Sequence, residues 1–456
     1  MDFEKADLII KFSHKISELA ALTLENNNIK PSAYEEYDVK RGLRDANGKG
    51  VLCGLTEISE VNARKGDTPI NGELRYRGYD VKDLVRNTVD ENRFGFEEVA
   101  FLLLFGKLPT KRELSDFGEI ISELRILPRN FVRDVVMKSP SKDMMNMLAR
   151  CVLNLYSYDP DPDNISVPNV LRQSLALIAQ FPMIAAYSYR AYRYYEAGDA
   201  SLIIHKPVSE YSTAQNVLHI LRKDNSFTDL EAKVLDVSLI LHAEHGGGNA
   251  STFTNHLATS TGTDTYSAVA ASLGSLKGPK HGGANIKVVK MIENIKENVK
   301  NPTRANVYDY VAKIVDKKAF DKSGLVYGMG HAVYTLSDPR AEILKVYAQK
   351  LAKEKGLEDD FALYETVAQA ACEILSDKRN LNKPISPNVD FYSGFVYSML
   401  NLPTALYTPL FAIARITGWS AHRMEELVCG NKIIRPAYEC VQEHREYVPL
   451  ADREDQ

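Results

Sequence analysis

FEEVAFLLLFGKLPTKRELSDFGEIISEL, residues 96–124, decides the fold class. Its first half reads as a buried helix stopped by Gly106 and Pro109. Thr110 and Glu113 then form a Thr-x-x-Glu capping box, and the helix that it opens carries Leu114, Phe117, Ile121 and Leu124 on one face. The same period recurs further along the chain. Ala341 to Lys355 aligns Ile343, Leu344, Tyr347 and Leu351 in one stripe, with Gly356 as the stop, and Phe361 to Leu375 repeats the pattern. Alternating runs are few; residues 51–77, with VLCGLTEISEV and ELRYRGYD, read as short strands or turns. The chain is therefore mostly α, with no internal repeat and no low-complexity segment.

At 456 residues the chain is too long for one compact core, so two domains or one elaborated domain are expected. Charged residues make up 25% and the net charge is −4, which gives no basic surplus for nucleic acid or an anionic membrane. Cys53, Cys151, Cys372, Cys429 and Cys440 are scattered, odd in number and free of CxxC spacing, which fits a reducing compartment. The most apolar stretch, Leu175 to Ala186, is broken by Gln180 and Pro182 and does not read as a membrane span. The start, MDFEKADLII, resembles neither a signal nor a transit peptide, so a cytoplasmic protein is expected. The first 45 or so residues hold an amphipathic helix (Leu8, Ile9, Phe12, Ile16, Leu19) and a polar linker, suited to packing across a partner subunit.

Three Gly- or Pro-rich loops each contain a His or an Asp, and catalytic groups often sit on loops held by a rigid scaffold. His281 lies in Gly278-Pro279-Lys280-His281-Gly282-Gly283, before a helical run. A helix N-terminus favours the neutral imidazole, which can donate a hydrogen bond to an enolising carbonyl; capping or packing is the alternative role. His331 lies in Tyr327-Gly328-Met329-Gly330-His331, and Asp338-Pro339-Arg340 follows. Asp338 reads as an N-cap with proline at the first helical position, and Arg340 as either a carboxylate partner or a solvated helix residue. Asp390, in Pro387-Asn388-Val389-Asp390-Phe391-Tyr392, reads as a general base raised by burial or as a helix N-cap. His242, Glu244 and His245 suggest a metal, but the histidines are not four apart as in HExxH and no cysteine cluster or EF-hand loop supports one, so no metal is expected.

Taken together, LRYRGYD at Leu74, FEEVAFLLLFGKLPT at Phe96, LHAEHGGGNASTFT at Leu241, GPKHGGAN at Gly278, GMGHAVYTLSDPRA at Gly328, PNVDFYSG at Pro387, ARITGW at Ala414 and IIRP at Ile433 resemble the citrate synthase family, over roughly Gly42 to Arg435. The resemblance implies a two-domain helical fold: an N-terminal extension over 1–45, a large domain over 46–280 and 391–456, and a smaller CoA-binding domain over 281–390. It implies condensation of acetyl-CoA with oxaloacetate, with no permanently bound cofactor and acetyl-CoA as co-substrate. His281 would hydrogen-bond the thioester oxygen, Asp390 would take the methyl proton and His331 would polarise the keto oxygen. His245, Arg340 and Arg415 would hold oxaloacetate, with Arg435 reaching in from the second subunit of a homodimer. The backbone of Leu325, Val326, Tyr327, Gly328, Met329 and Gly330 would hold the CoA adenine, and Lys383 a CoA phosphate. The closest rival is 2-methylcitrate synthase, with propionyl-CoA on the same scaffold. A non-catalytic CoA-binding relative is a rival from another class, against which His281, His331 and Asp390 speak. Two departures stand out: the His331 loop reads HAV where many relatives have an Arg after the His, and the first 45 residues do not match the domain that confers NADH control in some bacterial relatives.

Overall fold

The computed structural model describes residues 3–45, 49–66, 68–378, 385–430 and 432–453, with the backbone alone for 3–12 and 378. Two compact units emerge, Met1–Cys53 with Arg435–Gln456, and Gly54–Ile434. The first contains helices α1 (Phe3–Asn26) and α2 (Pro31–Glu36), with Pro31 at the first helical position. Ile16 and Leu19 of the expected amphipathic stripe are exposed on α1. Residues 435–453 add only one short 3₁₀ turn, Leu450–Asp452.

The second unit opens with the strands read from residues 51–77. β1 (Ser59–Lys65), β2 (Thr68–Tyr76) and β3 (Tyr79–Asp80) form an antiparallel sheet in sequential order, with a register shift between Asn62 and Arg64. The rest is helical: α3 (Val81–Asp90), α4 (Phe96–Phe105), α5 (Lys111–Leu124), α6 (Met144–Leu155), α7 (Val167–Tyr195), α8 (Thr213–Leu221), α9 (Asp229–His242), α10 (Ala250–Ser260), α11 (Thr265–Lys277), α12 (Ala284–Asn298), α13 (Arg304–Val315), α14 (Pro339–Lys355), α15 (Glu358–Lys378), α16 (Val389–Met399) and α17 (Tyr407–Cys429).

The local signals act where the sequence puts them. α4 ends at Gly106 with positive φ, and both halves of the Thr110–Glu113 capping box form at the start of α5. Phe117 and Ile121 are buried while Leu114 and Leu124 stay half-buried at the rim. α14 starts on an Asp338 cap with Pro339 at its first position and stops at Gly356.

α7 and α17 pack against each other at the centre. α17 is buried from Tyr407 to Met424, and α7 is buried over most of Leu177 to Ala191. A helix apolar all round is a core helix rather than a surface one. Among the described residues no helix is long and apolar enough to cross a membrane. The core helices α9, α10 and α17 and the starts of α14 and α16 carry the polar groups described next.

Candidate active site

α9 stops at His242 and α10 starts at Ala250, capped by the Asn249 side chain, which accepts from the Thr252 N–H at 3.1 Å. Between them the chain turns through His245, whose Nε2 lies 3.2 Å from the Tyr334 hydroxyl. The His331 ring stacks on Tyr334 at 4.8 Å and meets His245 edge-on at 5.2 Å. The Nδ1 of His331 accepts the N–H groups of Val333 at 3.0 Å and Tyr334 at 3.2 Å. Two donors aimed at Nδ1 put the neutral ring's proton on Nε2.

His281 is set by the opposite nitrogen. Its Nε2 receives the Ser251 N–H at 3.3 Å and lies 2.9 Å from the Ser251 hydroxyl, so its proton sits on Nδ1. Ser251 stands in the first turn of α10, and its hydroxyl also receives Trp419 Nε1–H at 3.3 Å. Burial first, then the Arg415 charge, pushes the His281 imidazole down to about 4, so it is neutral at physiological pH. Burial, rather than the start of α12, is the leading cause.

The loops bearing His331 and Asp390 are laced together. Gly330 N–H donates to Ser386 at 2.8 Å, Asn388 N–H to Gly328 at 2.9 Å, and the Asn388 amide to the Gly330 carbonyl at 2.8 Å. Gly328 has φ +77°, and a Cβ there would run into Phe391 and Val288, so no other residue fits. The cap of α16 is Asn388, whose side chain accepts the Asp390 N–H at 3.0 Å. Asp390 is therefore not the cap, which was the alternative to a base. Burial pushes its carboxyl up to about 6, with Arg340 and Arg415 pulling the other way and Asp338 adding to the rise.

Two buried guanidiniums face this cluster. Arg340 is locked by Asp338, with Nε to Oδ1 at 3.0 Å and Nη2 to Oδ2 at 2.7 Å. Burial alone would lower Arg340, but the Asp338 charge outweighs it and the group stays firmly protonated. Asp338 also accepts the Val389 N–H at 3.3 Å, which ties α14 to the start of α16. Arg415 donates from Nε to the His242 carbonyl at 2.8 Å, while its buried Nη2 has no hydrogen-bond partner among the described residues. A buried cationic donor left unpaired is costly, and a ligand carboxylate would satisfy it. Burial holds Arg415 down to about 10, still cationic. Burial first, then Arg340, His331 and Arg415, keeps His245 neutral.

The second unit thus brings His245, His281, His331, Arg340, Asp390 and Arg415 into one electrostatic neighbourhood. Arg435 belongs to the other unit and is exposed. Lys383 lies outside the described residues. Of the loop 325–330, Leu325 is exposed, Val326 is buried, and the Tyr327 hydroxyl donates to Asp321 at 2.6 Å. His242 Nδ1 lies 2.6 Å from the Ser238 carbonyl, burial holds the ring neutral, and its buried Nε2 has no hydrogen-bond partner among the described residues. Sequence reasoning passed over Tyr334, Ser251 and the anchoring role of Asp338. All three stand inside quoted motifs, but their contacts with His245, His281 and Val389 are distant in sequence.

These features bring together two imidazoles with defined tautomers, one raised carboxyl and two buried cations. Comparison with known proteins identifies the class. The family model for the citrate synthase C-terminal domain matches residues 43–437. A 2-methylcitrate synthase of Shewanella oneidensis is 34% identical over 91% of this chain and 100% of its own length. A citrate synthase of Synechocystis sp. is 36% identical over 89% and 92%. The citrate synthase of Thermoplasma acidophilum, solved as a ternary complex with carboxymethyl coenzyme A and oxaloacetate, superposes with a TM-score of 0.73 at 29% identity, covering 91% of this chain and 99% of that one. The chain belongs to the citrate synthase family and is an enzyme with the family's mostly α fold.

Proposed function

We propose that this enzyme condenses acetyl-CoA with oxaloacetate and hydrolyses the citryl-CoA formed to citrate and CoA. The observation that carries the reading is the complementary protonation of the site: His281 carries its proton on Nδ1, His331 on Nε2, and the buried Asp390 carboxyl is held near 6.

Arg340 and Arg415 bind the carboxylates of the dianion, and Arg415 Nη2 gains the partner it lacks within the chain. Asp390 accepts a proton from the acetyl methyl group. His281 Nδ1–H donates to the thioester oxygen, where negative charge develops. His331 Nε2–H, with His245 beside it, donates to the keto oxygen as the new carbon–carbon bond forms. Water then releases CoA; no side chain is assigned to its activation. Holding both reactants against fixed donors supplies orientation as well as electrostatics.

The finer assignments rest on the resemblance. Residues 281–390 act as a small domain that closes on the large one (46–280 and 391–456), with 1–45 an extension. Leu325 to Gly330 and Lys383 hold CoA. Arg435 completes the site of the second subunit of a homodimer. Five unpaired thiols support a cytoplasmic setting, and the chemistry asks for no resident metal or cofactor.

2-Methylcitrate synthase is the second reading, favoured by relatives of that name at similar identity. One methyl group in a pocket is worth about 1–3 kcal/mol, so kcat/KM for acetyl-CoA and propionyl-CoA, with oxaloacetate saturating, decides between them. A higher value for acetyl-CoA is expected; a higher value for propionyl-CoA would assign the chain to the second activity.

A further inference from the structure

Behind the loop 246–248, on the far side of Glu244, α10 and α17 bring together a group of side chains that the condensation does not use. His256 Nε2 on α10 and His422 Nδ1 on α17 face each other at 3.1 Å. Each ring has its other nitrogen on a carboxylate: His256 Nδ1 lies 2.9 Å from Glu426 and His422 Nε2 lies 3.0 Å from Glu244. Glu425, one turn after His422, accepts the Glu57 N–H on Oε1 at 2.7 Å. Its buried Oε2 has no hydrogen-bond partner among the described residues and points to His422 Nδ1 at 3.7 Å. The His256, His422 and Glu425 atoms that could ligate all lie within 4.8 Å of one another, the only such group among the described residues.

We propose that His256, His422 and Glu425 form a binding site for a divalent transition-metal ion of the zinc type, cross-tying α10 to α17 beneath the loop that carries His245. Ligand nitrogens about 2.0–2.1 Å from a tetrahedral ion lie roughly 3.3 Å apart, close to the separation of the facing nitrogens. Metal-bound histidines characteristically donate their other N–H to a carboxylate, and both rings have such a partner in Glu426 and Glu244. The ion would also hold Glu425 Oε2, which now stands 3.7 Å from His422 Nδ1, beyond hydrogen-bond distance. Gly247 leaves the approach open: a Cβ there would stand 3.5 Å from His256 Nε2 and 3.8 Å from His422 Nδ1, the space a fourth, water ligand needs. Two imidazoles and a carboxylate suit zinc or cobalt better than magnesium or calcium. The site is separate from the reacting groups, and its role is to brace the two helices.

The test uses the full chain, stripped with chelator, in a Cys53→Ser, Cys429→Ser, Cys440→Ser background that removes exposed thiol ligands. Calorimetric titration with zinc chloride should give one ion per chain and a raised Tm. Cobalt chloride should give the visible absorption of a tetrahedral nitrogen–oxygen site. His256→Gln and Glu425→Gln should each abolish the stoichiometric binding, and Glu426→Gln should weaken it by roughly 10–100-fold. Absence of stoichiometric zinc and of the cobalt band in the unvaried site would overturn the proposal, as would binding unchanged by His256→Gln and Glu425→Gln. The cobalt readout needs no variant at the site, so a misfolded variant cannot mask the result.

Discussion

Between Phe96 and Leu124 the chain is held by apolar burial and by groups close in sequence: Gly106 ends one helix, the Thr110–Glu113 box starts the next, and Phe117 of the second meets Phe101 and Phe105 of the first in T-shaped contacts. Around His245 the means are reversed. Arg340, Asp338, Arg415, Glu244 and His422 are all buried: Asp338 pairs with Arg340 and reaches Val389, Arg415 donates to the His242 carbonyl but keeps one Nη2 without a partner among the described residues, and His422 meets Glu244. Buried ion pairs are weak contributors to net stability, because desolvation offsets most of their attraction, but removing one partner is severe. The hairpin is where the sequence stabilises the fold, and the loop cluster is where stability is given up for fixed charge geometry.

Asp390→Asn should break the comparison at its sharpest point. The amide keeps the shape but cannot accept a proton, so kcat should fall by roughly 10²–10⁴-fold while oxaloacetate binds nearly as before. The wild-type pH profile carries the matching signature. Asp390 must be ionised to act and its carboxyl is raised to about 6, so kcat/KM should fall about tenfold per pH unit as pH drops below that value and level off above it. Activity undiminished well below pH 6, or an Asn variant that keeps most of its turnover, would mean that another group takes the proton.

Asp338→Asn probes the same region without touching the base. It strips the buried Arg340 of its carboxylate, so thermal or urea unfolding should show a loss of about 3–5 kcal/mol, and KM for oxaloacetate should rise. A loss below about 1 kcal/mol would show Asp338 to be only the helix cap read from the sequence.

The proposed action of Arg435 in the neighbouring subunit's site can be tested by mixing. Arg435→Ala and His281→Ala homodimers should be weak or inactive alone. Unfolded together and refolded, they should recover about a quarter of wild-type activity, since half the dimers are mixed and one of their two sites is intact. No recovery despite demonstrated subunit exchange would place Arg435 outside the neighbour's site.

At the hairpin, Thr110→Ala should cost about 1 kcal/mol of stability and leave both KM values alone, because its only task is the Glu113 N–H. A kinetic effect there would erase the contrast between the two regions.

The difference in means also explains what could be read in advance. Caps, stops and apolar period act over three to seven residues, so α4 and α14 were legible with their ends and α5 with its start, while residues 51–77 read only as short strands or turns, because their pairing joins segments apart in the chain. The catalytic candidates were legible as types on Gly- and Pro-rich loops. What orients them was not: Ser251 fixing the His281 tautomer, Tyr334 reaching His245, and the lacing of 328–330 to 386–388 join residues that are 30 to 89 positions apart. Asp390 illustrates the limit. Asn388, two residues earlier, competes for the same capping role, and only the hydrogen-bond pattern separates the cap from the base. His256 and His422 carry no local signature, being 166 residues apart.

The proposed reaction joins an acetyl methyl carbon to the keto carbon of oxaloacetate. Release of CoA thiol by the purified enzyme, followed with a thiol reagent, tests it most directly. Release should require acetyl-CoA and oxaloacetate together, with one citrate formed per thiol. Thiol released at the same rate without oxaloacetate, or none released with either acetyl-CoA or propionyl-CoA, would contradict it.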